Sequence, residues 1–324
     1  MRILLTGCAG FIGYHLVTKL LATNHRVVGI DSLNQYYDPK LKKYRLSKLK
    51  TNKNFIFIKD SLKNKNKLIK ILNKHKIDKV IHLAAQPGVR YSLINPRSYI
   101  DNNLLSFFNI MEASKEYKVK HFIYASSSSV YGLNNTTKFK EIEKTEKPAQ
   151  LYAATKKSNE LMAEAYSNLF KLKSTGLRFF SVYGPAGRPD MAIYLFTNKI
   201  YNDKKIDVFN YGNHARDFTY IDDVVDAVYR IISKKLKRNS LHEIYNIASG
   251  KSEKLSKLIS TIEDRLGKKA KKKFLPIQKG DIIATSANIR KIKNDYNYKP
   301  KTNIELGLTL FVEWFLTYVK NVKK

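Results

Sequence analysis

An α/β fold, with a Rossmann-type doubly wound parallel sheet followed by a smaller, discontinuous C-terminal substrate lobe, is predicted by three observations. Short apolar segments alternate with helical ones through the first 181 residues, the pattern of strands joined by crossover helices. A glycine-rich turn, Thr6-Gly7-Cys8-Ala9-Gly10-Phe11-Ile12-Gly13, directly follows the first apolar segment. After Val182 the alternation gives way to glycine and proline breaks.

The strand candidates are residues 3–5, 27–30, 55–58, 80–84, 122–126 and 175–179. Each is short and apolar on both faces, as strands covered by helices on both sides must be. Helices are predicted over 11–23, around 62–74, and over 95–117 and 152–169. Tyr183-Gly184-Pro185, Gly187 and Pro189 interrupt the chain, and Tyr211-Gly212-Asn213, Leu275-Pro276 and Gly280-Asp281 mark later turns. Residues 220–233 and 244–248 read as a helix and a strand that return to the main sheet. The expected division is therefore a dinucleotide-binding domain of residues 1–181, with 216–250 returning to it, and a lobe made mainly of 182–215 and 251–324. Leu306, Leu310, Trp314 and Phe315 have helical spacing and are expected to pack on the core.

With 324 residues, 43% of them hydrophobic, the chain can bury a large core without disulfides. Its single cysteine, Cys8, lies inside the glycine turn and reads as a small apolar filler, in keeping with a reducing cytoplasmic setting. A strand starting at residue 2 leaves no room for a signal peptide, and Glu313 interrupts the apolar segment 306–319, so neither export nor a membrane span is expected. The net charge of +33 raises nucleic acid as a partner, but the lysines are scattered among Asn, Ile and Tyr rather than gathered in one stripe. The densest run, between Lys268 and Lys273, follows Leu266-Gly267 and reads as a solvated turn. Nucleic acid is not the expected partner; a positive field would instead concentrate anionic nucleotides. None of the seven histidines has metal-ligand spacing, and His82, inside a strand, reads as structural.

A glycine turn between strand and helix lets backbone N–H groups and the positive helix end approach a pyrophosphate unobstructed. Gly7, Gly10 and Gly13, with Phe11 and Ile12 between them, occupy those positions, although the spacing is GxxGxxG rather than GxGxxG. Asp31, 21 residues after Gly10 at the end of the second strand, is placed to accept from adenosine ribose hydroxyls and to repel a 2′-phosphate. NAD is thus favoured over NADP; the plain alternative is a solvent-facing aspartate at a strand end. Asp60 and Leu62 follow the third strand, where an adenine edge would lie, and Ala84 and Ala85 end the fourth. Small side chains there admit a dinucleotide, and equally suit a packed helix–strand contact.

Tyr152 and Lys156 are four apart on a predicted helix and so share a face. A phenol with a pKa of about 10 is a poor base at neutral pH, but a neighbouring ammonium and a positive nicotinamide ring both favour phenolate. A phenolate can take the proton of a secondary alcohol while hydride leaves the same carbon for NAD. The hydroxyl cluster Ser126-Ser127-Ser128-Ser129 ends the preceding strand and is available to the reacting oxygen. The competing reading is a tyrosine and a lysine on an exposed helix face.

The glycine turn, the segment 124–132 and the Tyr152-Ala153-Ala154-Thr155-Lys156 block resemble the extended short-chain dehydrogenase/reductase family, in its NAD-dependent epimerase/dehydratase, nucleotide-sugar branch, over essentially the whole chain. The blocks 31–38, 86–92, 187–192 and 216–223 are similar to those of UDP-glucuronate 4-epimerases. The resemblance implies that Ser127 positions the sugar O4, that Tyr152 is the base, and that Lys156 holds the nicotinamide ribose and lowers the tyrosine pKa. It also implies that Asn102 lies beside the cofactor and that Arg216 grips the diphosphate, the alternative for Arg216 being a surface ion pair with Asp217 or Asp222. A homodimer built on the helices beginning near Asn95 and Tyr152 is implied as well.

Relatives that dehydrate the sugar carry an acid just after the position of Ser127, where this chain has Ser128 and Ser129. Without a donor for the leaving hydroxyl, dehydration is disfavoured. For a uronic acid, epimerisation passes through a 4-keto sugar that is a β-keto acid, so the carboxylate must be held in an unreactive orientation. Candidates for that grip are Ser128, Ser181, where relatives carry threonine, and Arg188. Arg90 is the rival cation, and pairing with Asp190 is the alternative role of Arg188. The expectation is an NAD-dependent isomerase acting at C4 of a UDP-hexuronic acid for polysaccharide synthesis. The alternatives are a 4-epimerase of UDP-glucose or UDP-N-acetylglucosamine, a uronate decarboxylase, and an idle binding protein on the same fold.

Overall fold

The computed structural model describes residues 1–132, 138–234, 240–278 and 281–323. Its main sheet has seven parallel strands: β1 (Arg2–Thr6), β2 (Arg26–Asp31), β3 (Phe55–Lys59), β4 (Lys79–His82), β5 (His121–Ser127), β6 (Ser174–Phe179) and, after four short strands, β11 (His242–Ile247). Those four are β7 (Ser181–Tyr183), β8 (Ile206–Phe209), β9 (Ala215–Arg216) and β10 (Phe218–Tyr220); β12 (Glu253–Lys254) and β13 (Lys272–Leu275) follow. The helices are α1 (Phe11–Ala22), α2 (Pro39–Lys50), α3 (Lys65–His75), α4 (Tyr91–Ile94), α5 (Pro96–Tyr99), α6 (Ser106–Glu116), α7 (Leu151–Phe170), α8 (Ala192–Tyr201), α9 (Ile221–Ser233), α10 (Leu255–Leu266), α11 (Arg290–Tyr296) and α12 (Ile304–Lys323).

The spatial order is β11-β6-β5-β4-β1-β2-β3, so the chain reverses direction between β1 and β4. A crevice opens at such a switch point, outside the carboxyl ends of the strands. Alternation along β1 builds both faces: Ile3 and Leu5 join the core beneath α1 and α9, while Leu4 joins the one beneath α3 and α6. The first of these cores continues without a break into the smaller lobe through Ile193, Phe196, Leu258, Leu308 and Phe311. In that lobe β7 pairs with β10, β8 with β13 and β9 with β12. Thereafter α9 and β11 bring the chain back to the edge of the main sheet beside β6.

Several elements differ from the sequence-based expectation for local reasons. The fourth strand stops at His82 rather than at residue 84, because Thr6 captures both following amides: Leu83 N–H donates to its carbonyl and Ala84 N–H to its hydroxyl. The long helix expected from Asn95 is broken. Asn95 is non-helical and caps α5 by accepting from Ser98 N–H at 3.2 Å, and a π-helical stretch, Ile100–Leu105, separates α5 from α6. Helix α2 was not expected, since its lysine-rich sequence has no strong apolar stripe; Asp38 caps it, accepting from Lys40 N–H at 2.8 Å, with Pro39 in the first turn. On α12 the expected stripe holds in part: Phe315 is buried and Trp314 packs against the core, but Leu306 and Leu310 are exposed and Ile304, Leu308 and Phe311 are buried instead. The spacing of four was right, but the buried face is rotated. The turn expected at Gly280 falls outside the described residues. No helix among the described residues is long and apolar enough to cross a membrane.

Cys8 is fully buried against Gly29, the filler position expected for it. His82 is buried between Phe107 and Phe122, bonded through Nδ1 to the Thr6 hydroxyl at 2.8 Å, and burial holds its pKa down to about 3, so the ring is neutral and structural.

Beside β5, Arg178 on β6 grips Glu160 on α7 with Nε and Nη2 at 2.8 and 2.9 Å, and Ser126 donates to the same carboxylate at 2.6 Å. Removing one partner of a buried pair strands the other charge. Arg178→Met is therefore expected to cost about 3–5 kcal/mol in chemical denaturation. Gly13→Ala, whose added Cβ would run into the Gly7 carbonyl, is expected to cost about 1–3 kcal/mol in the same measurement.

Candidate active site

The glycine turn is shaped by contacts that leave no room for side chains. Gly7 has φ +75°, and a Cβ there would lie 2.8 Å from the Ala84 amide nitrogen; one at Gly10 would lie 2.9 Å from the Gly7 carbonyl oxygen. The turn therefore presents bare backbone at the start of α1. Asp31 closes its far side, accepting from Ala9 N–H at 3.0 Å and Leu33 N–H at 2.8 Å.

A cavity of about 420 Å³ runs across the carboxyl ends of the strands at the switch point. The sequence-predicted residues meet there from separate elements. Gly7, Gly10, Phe11, Ile12 and Gly13 line its floor, Asp31, Asp60 and Leu62 one end, and Ala84, Ala85 and Asn102 a wall. Ser127, Ser128, Tyr152, Lys156, Ser181, Arg188 and Arg216 line the other end. Arg90 is the exception. It lines an adjoining cavity of about 720 Å³, stacks over Phe209, and pairs with Asp281 at 3.1 Å. The two cavities share Arg188, Arg216 and Asp281, so they form one continuous cleft.

Lys156 is buried, and its Nζ donates to the Ala125 carbonyl at 2.9 Å, which ties α7 to the end of β5. Burial pulls its ammonium down to about 8. Burial also raises the Tyr152 phenol, while the Ser127 hydroxyl as a hydrogen-bond partner and the Arg188 charge pull it back down. Ser127 and Arg188 are thus the groups that favour its ionised form in this structure, with the Lys156 ammonium on the β5 carbonyl. Ser127 itself is anchored by Ser129, whose N–H it accepts at 3.1 Å.

Arg216 does not pair with Asp217 or Asp222. Its Nη1 donates to the carbonyls of Ala215 and Ile283, and Asp217 is buried, accepting from Ser249, Gly250 and Ala287 amides. Arg188 makes the pairing weighed as its alternative role, donating to Asp190 from Nε at 3.0 Å and Nη2 at 2.5 Å, and it also lines the cleft. Asn102 reaches the wall from the π-helical stretch, and the next residue, Asn103, bonds both backbone groups of Gln86 and the Thr155 hydroxyl.

Three further residues escaped the sequence reading. Lys42 lines the cavity beside Asp31, donating to the Asn34 carbonyl and side chain at 2.6 Å each. Tyr36 donates to Asp190 at 3.0 Å. Arg45 is fully buried, and every bond it makes among the described residues goes to a carbonyl or a hydroxyl: Ala9 of the glycine turn, Ala186 and Gly187 before Arg188, and Tyr37. The signal available for Lys42 and Arg45 was the Asp38-Pro39 helix start, which puts both cations on one face of α2.

The turn, the acidic residue after β2 and the long cleft fit a dinucleotide: a Cβ would fill the cradle at all three glycines, and Asp31 is fixed toward the cavity. Residues 3–248 match the model of the NAD dependent epimerase/dehydratase family, and the chain belongs to that family. It is 46% identical to Protein CapI of Staphylococcus aureus, over 99% of this chain and 100% of the relative. It is 39% identical to a probable UDP-glucuronate 4-epimerase of Rhizobium meliloti, over 97% of each chain. The fold is also similar to the crystal structure of UDP-glucuronic acid 4-epimerase from Bacillus cereus in complex with UDP-glucuronic acid and NAD, with a TM-score of 0.93 and 35% identity over 98% of this chain and 100% of that one.

Ser127→Ala removes a hydrogen bond that favours the ionised phenol. For a base that acts as phenolate, the rising limb of kcat/KM is expected to move to higher pH, with a loss of roughly tenfold or more at neutral pH. A pH–rate profile checks this, and an unshifted limb would assign the Tyr152 ionisation to other groups.

Proposed function

We propose that the protein is an NAD-dependent 4-epimerase of a UDP-hexuronic acid, interconverting UDP-glucuronate and UDP-galacturonate through a transient 4-keto sugar. The observation that carries this is one cleft holding Ser127, Tyr152 and Lys156 together with the Arg188 cation. The names of the Rhizobium relative and of the Bacillus structure support it.

In this reading the glycine turn and Asp31 hold the dinucleotide, with Lys42, Asp60, Leu62 and Asn102 along it. When bound, NAD supplies a hydride acceptor that later returns the hydride. Tyr152 takes the O4 proton and gives it back after the sugar has turned; Ser127 bonds O4, and Lys156 braces the base from β5. Arg216 holds the diphosphate, with Arg90 near the mouth. Ser128, Ser181 and Arg188 hold the carboxylate so that its bond to the ring stays out of the orientation that releases carbon dioxide.

We place the enzyme in the cytoplasm, in polysaccharide synthesis, and as a homodimer. Exposed Leu105, Phe108, Leu161, Leu169 and Phe170, on the π-helical stretch, α6 and α7, support the dimer. For residues 1–181 with 216–250 we assign cofactor binding, and for 182–215 with 251–324 substrate binding. A second reading, a 4-epimerase of a neutral UDP-hexose, is favoured by the Arg188–Asp190 pair, which satisfies the arginine without a substrate acid.

Incubation with UDP-glucuronate and NAD, followed by chromatography, is expected to yield UDP-galacturonate without accumulating NADH or carbon dioxide. Tyr152→Phe is expected to lose a hundredfold or so of the rate. Arg188→Ala is expected to cripple uronate turnover. Turnover of UDP-glucose alone, unaffected by Arg188→Ala, would favour the neutral-sugar reading, and a UDP-pentose product would move the assignment to decarboxylation.

A further inference from the structure

The guanidinium of Arg188 has two edges able to meet a carboxylate. Its side edge is already taken, with Nε and Nη2 on the two oxygens of Asp190 at 3.0 and 2.5 Å. A third group fixes the acid: the Tyr36 hydroxyl donates to Asp190 at 3.0 Å. Tyr36 is itself held, its ring against Tyr91 with centroids 4.9 Å apart and its hydroxyl over Gly88, where a Cβ would collide with it. Arg188 lines the cleft, and among the described residues no hydrogen bond takes its Nη1.

We propose that Asp190, held by Tyr36, is a positioning and specificity-setting residue that makes Arg188 a deliberately weakened ligand for the substrate carboxylate. This rests on the uronate reading and names what tunes that site. The pairing does two things. It fixes which edge the arginine offers, because a fork committed on one side cannot rotate to close on the substrate from the other. It also sets a negative charge beside the guanidinium on the wall of the cleft, so an arriving carboxylate meets a neutral pair rather than a free cation.

A reaction in which the same ring must present first one face and then the other needs such a compromise. Interactions made equally in every bound state deepen binding without speeding the reaction, and a grip that must loosen for the ring to turn slows it. An unopposed arginine would hold the uronate too firmly in its first orientation. The aspartate leaves enough attraction to select an acid and little enough to let it go.

The test uses the full-length enzyme with NAD, comparing Asp190→Asn and Tyr36→Phe with the unaltered protein on UDP-glucuronate and UDP-glucose. Asp190→Asn is expected to bind UDP-glucuronate about fivefold more tightly, the worth of one partly exposed charge contact, and to turn it over more slowly. KM and kcat should therefore fall together for the acid, while binding of UDP-glucose stays unchanged. Tyr36→Phe should move both in the same direction by less. Affinities are measured by calorimetry in a Tyr152→Phe background, which removes turnover from the binding readout. Asp190→Asn with weaker uronate binding, or with equal changes for both sugars, would overturn the inference and leave a merely structural role. An unaltered enzyme that fails on UDP-glucuronate would overturn the uronate reading first, and this inference with it.

Discussion

The crowding around Gly7 governs where everything else sits. Its carbonyl lies within contact range of Gly10 and Gly13, and its Cα faces the backbone at Ala84, so β1, α1 and the end of β4 are locked at the separation set by three missing side chains. That separation is the mouth of the switch point. A methyl group at any of the three would have to push apart backbone rather than a yielding side chain, and the cleft would lose its floor. Asp31, Thr6 and Cys8 complete the same knot by binding Ala9, accepting Ala84 and filling the space against Gly29.

Two buried arginines then carry the order of that knot outward. Arg178 pins α7 to β6 through Glu160 and so fixes where Tyr152 and Lys156 stand over β5. Arg45 joins the Ala9 carbonyl to those of Ala186 and Gly187, and His15 bonds the Pro185 carbonyl at 2.8 Å from α1. The loop bearing Arg188 thus hangs from the same elements that make the dinucleotide cradle. Arg45 has no carboxylate opposite it among the described residues; carbonyl oxygens on two separate segments and a tyrosine hydroxyl solvate it instead, spread over the donors of one planar fork.

The parts legible in the sequence are those written in local pattern. The central strands are short apolar runs, the turn is signalled by its glycines, and Tyr152 with Lys156 by helical spacing, so the main sheet and most of the cleft could be assigned residue by residue. What escaped depends on contacts between distant segments. Nothing near Tyr36 says that its hydroxyl will meet Asp190, 154 residues later. Helix α2 hides because its lysines mask a face whose anchor, Arg45, is itself a charged residue. The break before α6 follows from the cap at Asn95 and the π-helical stretch, whereas the apolar pattern alone continues across it. On α12 the periodicity was right and the phase wrong, since both Leu310 and Phe311 are apolar and only the neighbouring elements decide which faces inward.

The core that runs unbroken from beneath β1 into the smaller lobe has a consequence for how the chain comes into being. The sheet lacks its edge strand β11 until residue 247 has been made, and Leu308, Phe311 and Phe315 of α12 enter that core later still. A polypeptide leaving the ribosome therefore leaves part of that core uncovered until residue 315 has emerged. Until then such a chain is open to aggregation and to chaperone capture. The net charge of +33, spread along the chain, sets a mutual repulsion between such incomplete molecules.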